Sequence, residues 1–153
     1  VRRLVLNSVG QTFGKAELRL AAGKVLVPTI KPDDKAQLLT LEFTEEIPRG
    51  QAELELHWTG KLNQQPQGLF ITPYQTSAGE KQALLTQMEA LDARRMFPCW
   101  DEPAFRATFE LTAVVPAKHA AVSSPLASPL RWLPLTSVPV KHIFHGIPGE
   151  LVW

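Results

Sequence analysis

The sequence predicts an all-β fold of antiparallel strands, arranged as a β-sandwich or as curved sheets. Three observations predict it. Apolar and polar residues alternate with a period of two in several short runs. Turn-forming residues separate those runs at a spacing of roughly 10 residues, as in antiparallel sheets. The 13 prolines suit linkers and strand ends better than helix interiors.

The runs follow in chain order. Ala16, Leu18 and Leu20 alternate with Glu17 and Arg19. Leu39, Leu41 and Phe43 alternate with Thr40, Glu42 and Thr44. Ala52, Leu54, Leu56 and Trp58 alternate with Glu53, Glu55 and His57, and Ala107, Phe109, Leu111 and Ala113 alternate with Thr108, Glu110 and Thr112. Successive side chains of a strand point to opposite faces, so each run can bury one face and wet the other. Turns are expected at "AAG" ending at Gly23, at "KPDD" from Lys31 to Asp34, at "IPRG" ending at Gly50, and at "SAGEK" from Ser77 to Lys81. Lys81 to Ala93 has helix-forming composition. Its apolar residues Ala83, Leu84, Leu85 and Met88 also suit a strand running into an irregular turn, and strand is expected for Ala83 to Glu89. From Leu126 to Trp153 the alternation breaks and prolines recur, so loop with short strands is expected there.

Composition narrows the function classes. With 153 residues, 44% hydrophobic and 20% charged, the chain can bury a core and is globular rather than disordered. A formal net charge of +1, without a basic stripe interleaved with aromatics, gives no footprint for nucleic acid. No apolar run reaches the roughly 18 residues of a membrane helix. The single cysteine, Cys99, excludes an internal disulfide framework and a multi-cysteine zinc site. The chain starts at Val1 without a signal-peptide pattern and reads as a piece of a longer product, so its compartment stays open.

The stretch "TQMEALDARRMFPCWDEPAFRATFEL", Thr86 to Leu111, gathers most of the residues that could do chemistry. Arg94, Arg95, Asp101 and Glu102 bracket "MFPCW" and read as a structural brace, with the arginines folding back on Asp101, Glu102 or backbone carbonyls to hold a bend. Cys99 has arginines nearby, yet it lies between Pro98 and Trp100 and reads as a buried small hydrophobe rather than a nucleophile. Gln87 and Glu89 are two apart, which on a strand puts them on one face. An amide beside a carboxylate can hold a cationic amine, or can simply be a solvated strand face. His142 and His145, with Glu150 nearby, have a spacing that metal ligands can show, but on a strand or loop they face different ways and read as exposed histidines. His57 reads as a solvated strand residue. There is no His-Glu-x-x-His, no Gly-x-Ser-x-Gly and no phosphate loop.

These residues resemble a known family. "QMEALDARRMFPCWDEPAFRATFEL" is similar to the signature of the amino-terminal domain of the zinc aminopeptidase N family, which includes the leukotriene hydrolases: Gln-x-Glu-x-x-x-x-Arg-Arg, Pro-Cys-x-Asp-Glu-Pro-Ala, then an alternating strand. Upstream, "LLTLEFTEEIPRGQAELELHWTGKLNQQPQGLFITPY" resembles the family's strands and its Gly-(Leu/Phe)-(Phe/Tyr) step. Downstream, "VVPAKHAAVSSP" resembles the segment that follows. The resemblance covers residues 1–125 and implies a saddle-like β domain whose first strands precede Val1, leaving the fold incomplete at the N-terminus. Residues 126–153 do not match the pattern and read as a divergent tail or a domain boundary.

The resemblance further implies a metallo-aminopeptidase whose zinc is held by a separate thermolysin-like catalytic domain. Its peptide substrates have a free N-terminus. Gln87 would line the pocket for the first side chain, and Glu89 would hold the α-amino group. This chain alone is expected to bind no zinc and to cleave nothing, with no catalytic residue of its own. The competing expectation is a stand-alone, non-catalytic β-sandwich interaction module.

Overall fold

A computed structural model describes residues 1–102, 104, 105, 107, 109 and 111–115, and the backbone of 131–132. The strands are β1 (Arg3–Asn7), β2 (Gln11–Leu20), β3 (Val25–Leu26), β4 (Thr29–Asp33), β5 (Leu38–Glu42), β6 (Ala52–Gly60), β7 (Gly68–Thr76), β8 (Gly79–Gln87), β9 (Thr112–Ala113) and β10 (Arg131–Trp132). One short 3-10 turn, η1 (Ala93–Arg95), follows β8. The all-β expectation holds: the strands form several small sheets, mainly antiparallel. No helix among the described residues is long and apolar enough to cross a membrane.

The chain divides into two compact units, and the division falls within β2 and β6. Unit 1 comprises Val1–Phe13, Pro28–Ile47 and Trp58–Phe105. Its three-stranded sheet has the order β1-β5-β4. The central strand β5 sets Leu41 opposite Leu4 and Leu39 opposite Leu6. Leu39 and Leu41 are 0% exposed and Leu6 is 1% exposed. Directly opposed leucines on one face are the unit of sheet stabilisation, and burying each contributes roughly 1.5–3 kcal/mol. A two-stranded sheet, β7 with β8, runs in register from Gly68 opposite Gln87 to Thr76 opposite Gly79. At its turn, the Thr76 hydroxyl donates to the Gly79 carbonyl at 2.7 Å, and Gly79 takes a φ of 106° that favours glycine.

Unit 2 comprises Gly14–Val27, Pro48–His57 and what is described of Arg106–Trp153. Its sheet has the order β3-β2-β6. Ala16, Leu18, Leu26, Leu54 and Leu56 form its buried face. The β2–β3 turn uses Gly23 at a φ of 82°, and the Leu20 N–H donates to the Lys24 carbonyl at 2.8 Å. β9 and β10 pair in parallel.

Three expectations need correction. Lys31, Pro32 and Asp33 belong to β4 rather than to a turn. β4 is an edge strand, where the missing N–H of Pro32 is tolerated. The chain reverses after it, with Gln37 at a φ of 58° and the Ala36 N–H on Asp33 Oδ1 at 2.9 Å. Among the described residues of the alternating run 107–113, Thr112–Ala113 are strand, whereas Ala107, Phe109 and Leu111 are not, and Ala107 and Phe109 are exposed. Alternation makes a segment able to pair, but a strand forms only where a neighbour supplies the backbone partner, as β10 does for β9. Finally, β8 begins at Gly79 and ends at Gln87, so Glu89 is not on a strand. Four strands, β1, β3, β4 and β7, have no counterpart in the expectations drawn from alternation.

Candidate functional site

β8 ends at Gln87, and the chain turns at once. Met88 is half-buried, and Glu89 and Ala90 stand exposed in the turn. The Asp92 N–H donates to the Met88 carbonyl at 2.9 Å, closing a loop of five residues that holds Glu89. The Glu89–Ala90 peptide bond is cis. Gln87 is exposed as well. Among the described residues, the side chains of Gln87 and Glu89 make no hydrogen bond or ion pair. They are therefore not two positions on one strand face. They are an amide at a strand end and a carboxylate in the turn after it. A solvent-facing carboxylate with no partner is free to receive a cation.

Behind this turn lies a dense polar cluster. Arg94 is 9% exposed. Its Nε donates to Asp101 Oδ2 at 2.9 Å, one terminal nitrogen to Gln37 Oε1 at 3.2 Å, and the other to the Asp101 carbonyl at 3.2 Å. The Arg94 backbone N–H also reaches Asp101 Oδ2, at 3.1 Å. The Arg94 carbonyl accepts from the Val9 N–H at 3.1 Å and from Gln11 Nε2 at 3.2 Å. The Ser8 hydroxyl lies 2.6 Å from Gln11 Oε1. No buried side-chain nitrogen or oxygen among the described residues lacks a partner, so the cluster meets the demand that low-dielectric interiors place on polar groups.

Arg95 behaves differently from the bracing expected of it. Its Nε donates to Asp92 Oδ1 at 2.8 Å, not to Asp101 or Glu102. Glu102 is exposed, and its carbonyl receives the Phe105 N–H at 3.0 Å. The Asp92–Arg95 spacing of three fits one turn of η1, a local signal present in "DARR".

Cys99 joins this segment to β1. Its N–H and carbonyl pair with the carbonyl and N–H of Asn7 at 3.1 and 2.7 Å. Trp100 Nε1 donates to the Val5 carbonyl at 2.9 Å, and the Asp101 N–H to Asn7 Oδ1 at 3.0 Å. The thiol is buried. Burial, with a smaller contribution from the Asp101 carboxylate and against Arg94, pushes its pKa from 9.0 up to about 12. The native protein is therefore expected to resist iodoacetamide at about pH 8 and to label fully in denaturant, because the thiolate is the nucleophile. Fast labelling of the native chain would show the thiol to be accessible. The folded state keeps a proton that the unfolded state releases, so stability present below pH 9.0 falls as pH rises toward about 12.

His57 is half-buried on β6, with Nε2 2.9 Å from Glu55 Oε1. His119, His142, His145 and Glu150 lie outside the described residues. Among the described residues, no group of three or more His, Cys, Asp or Glu could hold a metal ion.

A family model for the peptidase M1 N-terminal domain matches residues 1–127. The chain belongs to the peptidase M1 N-terminal domain family. This M1 domain is 40% identical over 123 residues to aminopeptidase M1-C of Oryza sativa subsp. japonica, covering 80% of this chain and 14% of that protein. It is 42% identical over 118 residues to aminopeptidase N of Acetobacter pasteurianus, covering 74% of this chain and 33% of that protein. With aminopeptidase N of Rattus norvegicus the identity is 31% over 132 residues, covering 84% and 14%. The M1 domain thus spans a third or less of the length of these curated relatives.

Proposed function

We propose that this chain is the amino-terminal domain of a zinc-dependent metallo-aminopeptidase that removes N-terminal residues from peptides. Glu89 binds the substrate's α-ammonium group, and Gln87 borders the pocket for the first side chain. The observation that carries the reading is the exposed carboxylate of Glu89, without a partner among the described residues, two positions after the exposed amide of Gln87. Membership of the M1 N-terminal family and the aminopeptidase names of its longer relatives support it.

The chemistry follows from what the reaction demands. An enzyme that removes one residue at a time must distinguish a free amine from an internal peptide bond. A carboxylate does this with a charge-assisted hydrogen bond. In open water such a pair contributes only about 0–1 kcal/mol. Glu89 therefore needs a second surface to exclude water around it, and in this reading the catalytic domain of the same protein supplies that surface. Once desolvated, the contact both selects the amine and fixes the distance to the scissile carbonyl, which helps the reaction through orientation. The reading assigns the metal to the catalytic domain, as the family resemblance implies. The part of this chain is to bind and orient.

In the full-length enzyme, Glu89→Gln is expected to lower kcat/KM for free-amine substrates by roughly 10- to 1,000-fold, the loss of a desolvated charge contact. Kinetics unchanged by that substitution would remove the role assigned to Glu89. Gln87→Ala is expected to alter the ranking of substrates by first side chain while leaving the requirement for a free amine intact.

A further inference from the structure

We infer that Gly68, Asp92 and Arg95 are positioning residues that set where Gln87 and Glu89 stand. The inference rests on the proposed amine-holding role of those two residues. The turn that carries Glu89 is held at both ends. At one end it continues from Gln87, whose register partner across the β7–β8 sheet is Gly68. At the other end lies Asp92. Its N–H closes the turn on the Met88 carbonyl at 2.9 Å, and its Oδ1 accepts from Arg95 Nε at 2.8 Å. Its carbonyl also accepts the Arg95 N–H at 3.1 Å.

Gly68 touches this second end too. A Cβ placed on Gly68 would lie 2.7 Å from Arg95 Cβ, 3.1 Å from the Asp92 carbonyl oxygen and 3.2 Å from the Arg95 carbonyl carbon. Two of those atoms are backbone, which cannot swing aside as the tip of a side chain does. Gly68 also has a φ of 62°, in the region that favours glycine. Gly10, Gly23, Gly50 and Gly79 share a positive φ, but a Cβ on any of them would meet nothing within 4 Å. Those four serve conformation alone. Among the described glycines, Gly68 alone joins a positive φ to a close approach, and that approach is to the loop bearing Glu89. One unsubstituted α-carbon is thus opposite Gln87 and against Asp92 and Arg95, and it fixes the span of the turn between them.

The ion pair has a second consequence. Arg95 neutralises the Asp92 carboxylate, so Glu89 is left as the uncompensated acid of the turn. A substrate ammonium entering the turn then meets one free carboxylate, not two that compete for it.

The test uses the full-length enzyme and two non-hydrolysable inhibitors, leucinol and its des-amino counterpart 4-methylpentan-1-ol. The ratio of their inhibition constants reports amine recognition, and a merely structural role would not move it. Gly68→Ala is expected to lower kcat/KM for free-amine substrates on the order of 10- to 100-fold, as misplacement of an anchoring group does, and to collapse the inhibitor ratio. In a Glu89→Gln background it is expected to add little further loss, because coupled residues are not additive. Asp92→Asn keeps the side-chain volume and is expected to reduce the same ratio several-fold. It decides the matter if Gly68→Ala does not fold. Folded Gly68→Ala or Asp92→Asn enzymes that keep the full inhibitor ratio, while Glu89→Gln loses it, overturn the positioning role alone. A Glu89→Gln enzyme that keeps the ratio overturns the reading of the site itself.

Discussion

Arg94→Ala is expected to destabilise the chain by about 3–5 kcal/mol, the cost of leaving a buried ion without its partner. Both side chains of the pair are 10% exposed, so water cannot take the place of the lost guanidinium. The Asp101 carboxylate would keep only the Arg94 backbone N–H at 3.1 Å, and Gln37 Oε1 would lose its donor. Asp101→Asn should cost less, about 1–3 kcal/mol, since an amide oxygen can still accept those hydrogen bonds. Arg94→Lys should fail to rescue, because one ammonium group cannot span Asp101 Oδ2, its carbonyl and Gln37 together. Urea unfolding followed by tryptophan fluorescence measures all three, and Trp100 reports from the segment itself. A loss below about 1 kcal/mol for Arg94→Ala would match an exposed surface pair and contradict the burial described here.

Leu41→Ala should produce a loss of similar size, about 2–5 kcal/mol, through a different mechanism. Leu41 is 0% exposed on the central strand of its sheet, between Leu4 and Ile30. Truncation removes apolar burial and leaves a cavity that two flanking strands prevent from closing. The contrast is Lys31→Ala on the neighbouring strand. Its ion pair with Glu42 spans 2.5 Å, but both side chains are about half exposed, so the expected loss is about 0–1 kcal/mol. The same unfolding experiment separates the two. Equal losses at Leu41 and Lys31 would refute the placement of the core at β5.

The strands legible in the sequence were those whose inner face is buried and whose outer face is polar. Leu39 and Leu41 of β5, and Leu54 and Leu56 of β6, alternate with polar neighbours and are buried as the alternation requires. β1 escaped that test because Val5 sits between its two buried leucines and removes the polar beat. β7 escaped because Phe70 and Ile71 are adjacent and both half-buried. The run 107–113 has the right alternation, yet among its described residues Ala107, Phe109 and Leu111 lie outside β9. Periodicity records which faces could be buried. It does not record which strand will be alongside.

The site divides in the same way. "QME" and "ARRMFPCWDEP" could be singled out because their residue types and spacing resemble a family signature, and the burial of Cys99 followed from its apolar flanks. The assumption that Gln87 and Glu89 share a strand face did not survive, because β8 ends between them. Gly68 gave no signal at all, since a lone glycine before "LFI" is unremarkable until the chain returns and sets Arg95 against it. The sequence by itself determined the β character, the family and the residue types available to a substrate. Only the tertiary structure decided that Arg94 takes Asp101 together with Gln37, and that Gly68 lies against Asp92 and Arg95. Local pattern governs propensity and the side on which a residue points, whereas ion pairs and close backbone approaches join residues that only the fold brings within a few ångströms.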